Sequence, residues 1–331
     1  MSPFDPPALA EYELSLVIPV FNEQDNLMVL HERLRQALQG VRAELIFVDD
    51  GSTDHSAALL RELQSRDPHV GVLRFSRNFG KEQAITAGLQ VARGQAVILM
   101  DADLQHPPEM IPAMRAAWRD GADVVNMRRR SREDESWLKR HAAQGFYRLI
   151  NRLSDIPIPD GVGDFRLFSR RAVDALNQLQ ERNRFMKGLF AWIGYRQTTL
   201  DYDCAPRQAG HSKWRFRQLW NFALEGITAF SVAPLKVATK LGLASALASF
   251  AFGLYFFVRA LAYGDPVPGF PTLIVVVLML GGLQLLAIGV LGEYIGRLSL
   301  ESKRRPLFLV ESYEPARSAM PMEERVVHAP N

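Results

Sequence analysis

A short apolar run that ends abruptly in acid sets the terms for this chain. Ala96-Val-Ile-Leu-Met100 shows no polar alternation and leads into Asp101-Ala102-Asp103-Leu104-Gln105-His106-Pro107-Pro108-Glu109. Such residues predict a strand covered on both faces in a parallel α/β sheet. Two carboxylates at i and i+2 then emerge at the carboxyl end of the strand, where open α/β sheets bind their ligands. Paired hard oxygen donors in that place suit Mg2+ or Mn2+ holding a diphosphate. The plainer reading is that Asp101 and Asp103 only cap the helix that Pro107-Pro108 starts. One Asp is enough for a cap, and a second at the end of an apolar strand is costly without a partner.

The flanking sequence repeats the pattern. Leu14 to Val20 reads as a first strand with Pro19 marking its end, followed by Phe21-Asn22-Glu23 and an amphipathic helix carrying Leu27, Leu30, Leu34 and Leu38. Ala43 to Val48 is a second strand that ends in Asp49-Asp50, and Gly51-Ser52-Thr53-Asp54 turns into another helix. A strand over Val70 to Ser76, helices over Gly80 to Val91 and Pro107 to Trp118, and a strand over Asp123 to Asn126 continue the alternation. This order predicts a doubly wound, mostly parallel sheet. A nicotinamide-binding domain would need G-x-G-x-x-G after its first strand, but the turn here reads Val20-Phe21-Asn22-Glu23, and no GxxxxGK[ST] loop occurs. A metal-bridged diphosphate therefore fits better than a phosphate cradled by backbone.

After Arg128 the alternation breaks. A charged segment leads to a basic, apolar-striped helix over Trp137 to Leu153, the kind that lies at a membrane surface or packs with a solvated basic face. Gly161 to Phe168 places Asp164 at the entry of an apolar strand, Arg184 to Trp192 reads as a helix and Gln197 to Asp203 as a closing strand. Arg207 to Arg217 is strongly basic and runs into Phe216, Leu219, Trp220, Ala223, Ile227 and Phe230 at helical spacing, the pattern of an interfacial helix. Leu241 to Val258 and Thr272 to Gly292 hold no charge, and their lengths approach the roughly 20 residues that cross a bilayer. Lys236 and Lys240 flank one end of this hairpin, Arg297 and Lys303-Arg304-Arg305 the other, and the connecting Ala262 to Pro271 has no Lys or Arg, so both ends are expected in the cytoplasm. Gln284 and Gly281, Gly282, Gly289, Gly292 and Gly296 suggest close helix packing. Net charge is only +3, with one cysteine, Cys204, which excludes an intrachain disulfide and a Cys-based zinc site. Met1 to Glu13 is Pro-rich and acidic, unlike a signal peptide. The tail after Pro306 shows no pattern.

Val17-Ile-Pro-Val-Phe-Asn-Glu23, Val48-Asp-Asp-Gly-Ser-Thr-Asp54, Arg77-Asn-Phe-Gly-Lys81, Asp101-Ala-Asp-Leu-Gln105, Gly163-Asp-Phe-Arg-Leu167 and Gly292-Glu-Tyr-Ile-Gly-Arg297 together resemble the family 2 glycosyltransferases that load a sugar onto a polyprenyl phosphate. That group includes bactoprenol glucosyltransferases and dolichyl-phosphate mannose synthases. The resemblance implies a GT-A catalytic domain over 14–213 after a disordered 1–13, an interfacial helix over 214–235, a two-span hairpin over 236–298 and a cytoplasmic tail over 299–331. It further implies a multi-pass protein of the inner (plasma) membrane and inverting transfer of a hexose, UDP-glucose favoured as donor, to undecaprenyl phosphate with Mg2+ or Mn2+. GDP-mannose and aminoarabinose donors are the alternatives. Pro19, Phe21, Glu23, Asp50, Lys81 and Asp101 would contact the nucleotide sugar. Asp101, Asp103 and Gln105 would hold the metal, Asp103 and Asp164 would serve catalysis, and Arg128, Arg140, Arg207 and Lys213 would grip phosphate. Asp164 is equally suited to hydrogen-bond sugar hydroxyls, to fix Arg166 or to take a proton. The expected partners are the donor, the lipid acceptor and the membrane, with no nucleic acid, and the glycine-rich spans suggest self-association. Processive synthases would need more spans and a Gln-x-x-Arg-Trp motif, which is absent, and a non-catalytic scaffold would not need the intact acid set.

Overall fold

The computed structural model describes residues 12–130, 162–179, 181, 184, 186–203, 233–263, 270–317, 320 and 322. The elements expected from the alternation are present: β1 (Leu14–Val20), α1 (Leu27–Ala37), β2 (Ala43–Asp49), α2 (Ser56–Arg66), β3 (Val70–Phe75), α3 (Lys81–Val91) and β4 (Ala96–Leu99). A 3-10 turn at Pro108–Met110 precedes α4 (Ile111–Arg119), then come β5 (Val124–Arg129), β6 (Val162–Ser169), α5 (Arg170–Gln178), α6 (Met186–Trp192) and β7 (Gln197–Tyr202). Two long helices, α7 (Ala233–Tyr263) and α8 (Phe270–Ser302), and a last strand, β8 (Val310–Glu314), complete the described elements.

All eight strands join one sheet in the order β7-β5-β6-β4-β1-β2-β3-β8. The pairs β1–β2, β1–β4, β2–β3 and β5–β7 are parallel. Side chains alternate across β1: Leu14, Leu16, Ile18 and Val20 pack with α1, α2 and α4, whereas Val17 meets α3 on the other face. Every β4 residue is fully buried, as expected of a strand covered on both sides. Gly88 of α3 lies so close on β1 that a Cβ there would run into the Val17 side chain.

The structure adds to this reading. β6, whose direction the sequence left open, runs antiparallel between β4 and β5, with Leu99 level with Arg166 and Val97 with Phe168. Tyr12 and Glu13, grouped by sequence with a disordered N-terminus, are part of the packed domain: Tyr12 is buried, and Glu13 receives the guanidinium groups of Arg115 and Arg119. The tail after Pro306 re-enters the sheet, since β8 pairs antiparallel with β3, Phe308 stacks on Phe75 at 4.8 Å, and Met322 exchanges backbone hydrogen bonds with Gly40 and Val41. Its pattern escapes sequence reading because an edge strand is short and charged. Finally, a Cβ placed on Gly281, Gly282, Gly289, Gly292 or Gly296 would meet no described atom within 4 Å.

Both apolar runs are helical. In α8 the window Met279–Gly296 is long and apolar enough to cross a membrane, with a mean hydropathy of 1.4, while α7 carries a shorter apolar stretch, Ala238–Phe252. Leu243, Phe250, Met279, Leu285 and Leu298 stand exposed along the two helices. The helices predicted over 137–153 and 216–230 lie outside the described residues.

Candidate active site

The carboxyl ends of β1, β2 and β4 meet the entry of β6 at one end of the sheet, and the predicted acids gather there. Antiparallel pairing sets Leu99 opposite Arg166, and continuing that register by two residues brings Asp101 level with Asp164. One cation joins them: Lys81 Nζ lies 2.6 Å from Asp101 Oδ1 and 2.6 Å from Asp164 Oδ2. Lys81 occupies the first position of α3, whose N-cap, Gly80, has φ 109°, a conformation that favours glycine. Burial would push Asp164 up, but the charges of Lys81 and Lys187, the Lys81 hydrogen bond and the Arg166 charge outweigh it and hold the carboxyl at about 2. Burial also works against the Lys81 ammonium, and the two carboxylates more than offset this, so its pKa is raised and it stays protonated.

Asp101 is fixed from its own backbone. Its N–H donates to His106 Nδ1 at 3.1 Å, and the His106 ring stacks on Phe165 at 4.9 Å. The intervening turn holds Leu104 at φ 62°, a sparsely populated conformation for a residue with a Cβ. Within the turn Asp103 Oδ1 accepts the Gln105 N–H at 3.1 Å. Arg166, 1 % exposed, lies on the Asp164 face of β6, donates from Nε to the Gly163 carbonyl at 2.9 Å and covers the Phe190 ring at 4.9 Å.

The other predicted contacts line two loops that are laced together. Asn22, at φ 58°, donates from its backbone to Ser52 Oγ and accepts the Thr53 N–H at its side-chain oxygen. The Glu23 N–H bonds Ser56 Oγ at 2.9 Å, and the Glu23 carboxylate takes the Asn26 amide at 2.6 Å. Phe21 projects from this turn, 44 % exposed, just past Pro19. Asp50, expected to read base or ribose, spends its buried carboxylate on the next loop, accepting the N–H groups of Phe79 at 2.6 Å and Gly80 at 2.9 Å. Burial raises its pKa, with those hydrogen bonds opposing. Gly51 is required between the loops: its φ is 68°, and a Cβ would come within 2.5 Å of the Arg77 carbonyl carbon.

Of the phosphate-gripping set, Arg128 on β5 is described; it pairs with Asp201 on β7 at 2.7 Å and stays half-exposed. Arg140, Arg207 and Lys213 lie outside the described residues. Residues that spacing did not single out also face the cluster: His106, Glu82 and Lys187. Lys187 sits in a seven-residue helix with no charge pattern, so only the approach of α6 to β6 reveals it.

Among the described residues no three His, Cys, Asp or Glu side chains converge to hold a metal ion by themselves. Asp101 and Asp103 nonetheless place two hard carboxylates in one turn. That donor set fits a cation which completes its coordination with the oxygens of a bound diphosphate, as Mg2+ commonly does.

Sheet, acids and sequence likeness define a glycosyltransferase: the chain belongs to glycosyl transferase family 2, which residues 15–176 match. Residues 233–298 match the GtrB C-terminal hairpin. The bactoprenol glucosyl transferase of Shigella phage SfV is 46% identical over 302 residues, covering 91% of this chain and 98% of that protein. A prophage bactoprenol glucosyl transferase homolog of Escherichia coli K12 is 43% identical over 90% of this chain and 98% of its own. An uncharacterized glycosyltransferase of Synechocystis is 48% identical over 90% and 94%.

Proposed function

We propose that this protein transfers glucose, with inversion, from UDP-glucose to undecaprenyl or a similar polyprenyl phosphate at the cytoplasmic face of the membrane. The observation that carries the reaction type is the Asp101–Lys81–Asp164 bridge at the mouth of a GT-A-like sheet. The choice of glucose and of the lipid follows the printed names of the bactoprenol glucosyl transferases that this chain matches along nearly its whole length.

Asp101, Asp103 and Gln105 would hold the Mg2+ or Mn2+. When bound, the ion neutralises charge that builds on the departing nucleoside diphosphate. The loops around Asn22, Gly51 and Phe79 form the donor's bed, and Phe21 offers an exposed ring at its edge. The acceptor is a phosphate monoester, largely dianionic near neutral pH given a second pKa of about 6. Its oxygen forms the new bond to the anomeric carbon as the anomeric C–O bond to the diphosphate breaks, and no proton must leave the nucleophile first. Asp164, held at about 2, is a poor proton acceptor at neutral pH. Its role is to orient Lys81 and the sugar hydroxyls, and Arg166 stiffens it from the same face of β6. Arg128, with Arg140, Arg207 and Lys213, would bind acceptor and donor phosphates. The hairpin would span the bilayer twice with both ends in the cytoplasm, keeping this basic set near the lipid phosphate.

The test is a donor screen on the purified full-length protein with undecaprenyl phosphate and Mn2+. UDP-glucose, UDP-galactose, GDP-mannose and a UDP-aminoarabinose derivative are offered separately, and the glycolipid is identified by mass spectrometry. A hexosyl phospholipid with UDP-glucose alone is expected. A product from a different donor would reassign the sugar, and none from any donor would refute the reading.

A further inference from the structure

The first turns of α3 and α6 meet beside Asp164, and a single side chain joins them. Glu82, next to Lys81 in sequence, accepts the Met186 backbone N–H at its Oε2 from 3.2 Å. Its own carbonyl receives the Thr86 hydroxyl at 2.8 Å, and Thr86 Oγ1 in turn accepts Arg184 at 3.2 Å. Met186 is fully buried, so this attachment fixes where α6 begins. The next residue, Lys187, is half-buried, and its charge acts on both Asp164 and Glu82. Asp164 is thus flanked by two lysines, one from each helix, and only Lys81 is bonded to it directly.

Building on the reading above, we propose that Glu82 is a positioning residue of the transferase site: its carboxylate fastens α6 to α3 and thereby keeps Lys187 beside Asp164. Glu82 is half-buried, and a carboxylate that satisfies one backbone N–H next to a like-charged acid is expensive to keep. The neighbouring cations make it tolerable: Lys81 on α3, Lys187 on α6 and Arg184 just before α6 all face it. Burial, then the Asp164 charge, pushes Glu82 up to about 7 against the opposing Met186 N–H and the two lysines.

The full-length protein in detergent, with UDP-glucose, undecaprenyl phosphate and Mn2+, is compared as wild type, Glu82→Ala, Glu82→Gln and Lys187→Met between pH 5.5 and 9. Glu82→Ala is expected to lower kcat tenfold or more while donor KM stays within threefold. Glu82→Gln, whose amide oxygen can still accept the Met186 N–H, should keep both kcat and donor KM within threefold of wild type. Lys187→Met should lose kcat as Glu82→Ala does. Wild-type kcat in Glu82→Ala, an unchanged Lys187→Met, or a Glu82→Gln as slow as Glu82→Ala would each overturn the proposal. Should Glu82→Ala fail to fold, the Gln and Met variants decide by the same criteria. Inactivity of the wild type with every donor would count against the proposed function instead. Hydrogen exchange of peptides covering residues 186–192 then decides the fastening: at least tenfold faster in Glu82→Ala and unchanged in Glu82→Gln supports it, and equal protection in all variants overturns it.

Discussion

Asp103 and Asp101 stand on the same turn but are held differently. Asp101 is tied by its backbone to His106 and by its carboxylate to Lys81, whereas Asp103 is engaged within the turn, at the Gln105 N–H. Losing Asp103 removes one of two hard donors without touching the buried strand behind it. Asp103→Ala is therefore expected to fold and to lose transfer by at least about 100-fold with Mg2+ or Mn2+ present; near-normal turnover of the purified variant would show that the metal is held elsewhere. The acids of this turn were legible because an apolar strand that ends in two carboxylates has few structural uses. His106 was not, although it lies in the same stretch. Its hydrogen bond to Asp101 exists only because Leu104 adopts a positive φ and folds the turn back, and no spacing rule announces that. Asp50 shows the other side: its place after β2 was legible, but its bonds to Phe79 and Gly80 belong to a loop contact made across the sheet end.

Between elements, a second buried cluster secures the opposite end of the sheet. Asp67, which ends α2, receives His31 of α1 at 2.8 Å, lies 3.0 Å from the His69 ring and pairs with Arg35 at 3.4 Å, while the other His69 nitrogen reaches the Met320 carbonyl at 3.0 Å. Burial would raise Asp67, but the hydrogen bonds from His31 and His69 and the Arg35 charge hold it well below the usual carboxylate range. A carboxyl depressed in the folded state contributes stability that is present above its unfolded pKa of about 3.9 and is lost as pH falls below that value. Asp67→Asn is expected to cost about 3 kcal/mol at pH 7 and to melt with less dependence on pH between 5 and 3 than the wild type. Equal slopes in thermal unfolding over that range would sink the assignment. That β1 to β4 run parallel could be read from sequence because each alternates with a helix. The insertion of β6 could not, since 32 residues separate β5 from β6 and a strand pattern carries no record of its partner's direction.

For the whole molecule, the hairpin and the catalytic sheet are parts of one design. Lys236 and Lys240 in the first turns of α7, Arg297 in the last turns of α8, Lys303 to Arg305 just after it, and a loop between the helices free of Lys and Arg predict both ends on the cytoplasmic side. A fluorescent protein fused after Asn331 should mature in cells, and alkaline phosphatase fused at the same point should stay inactive; the reverse pattern would invert the topology. β8 adds a further consequence. The sheet that builds the site takes its last strand from residues translated after both apolar helices, with Phe308 stacked on Phe75 and, through Phe75, reaching Phe79 in the loop that Asp50 holds. A chain stopped before the hairpin is made leaves β3 as an open edge and this loop unsupported. Synthesis itself thus imposes an order, in which the enzyme is finished only once its two apolar helices have left the ribosome.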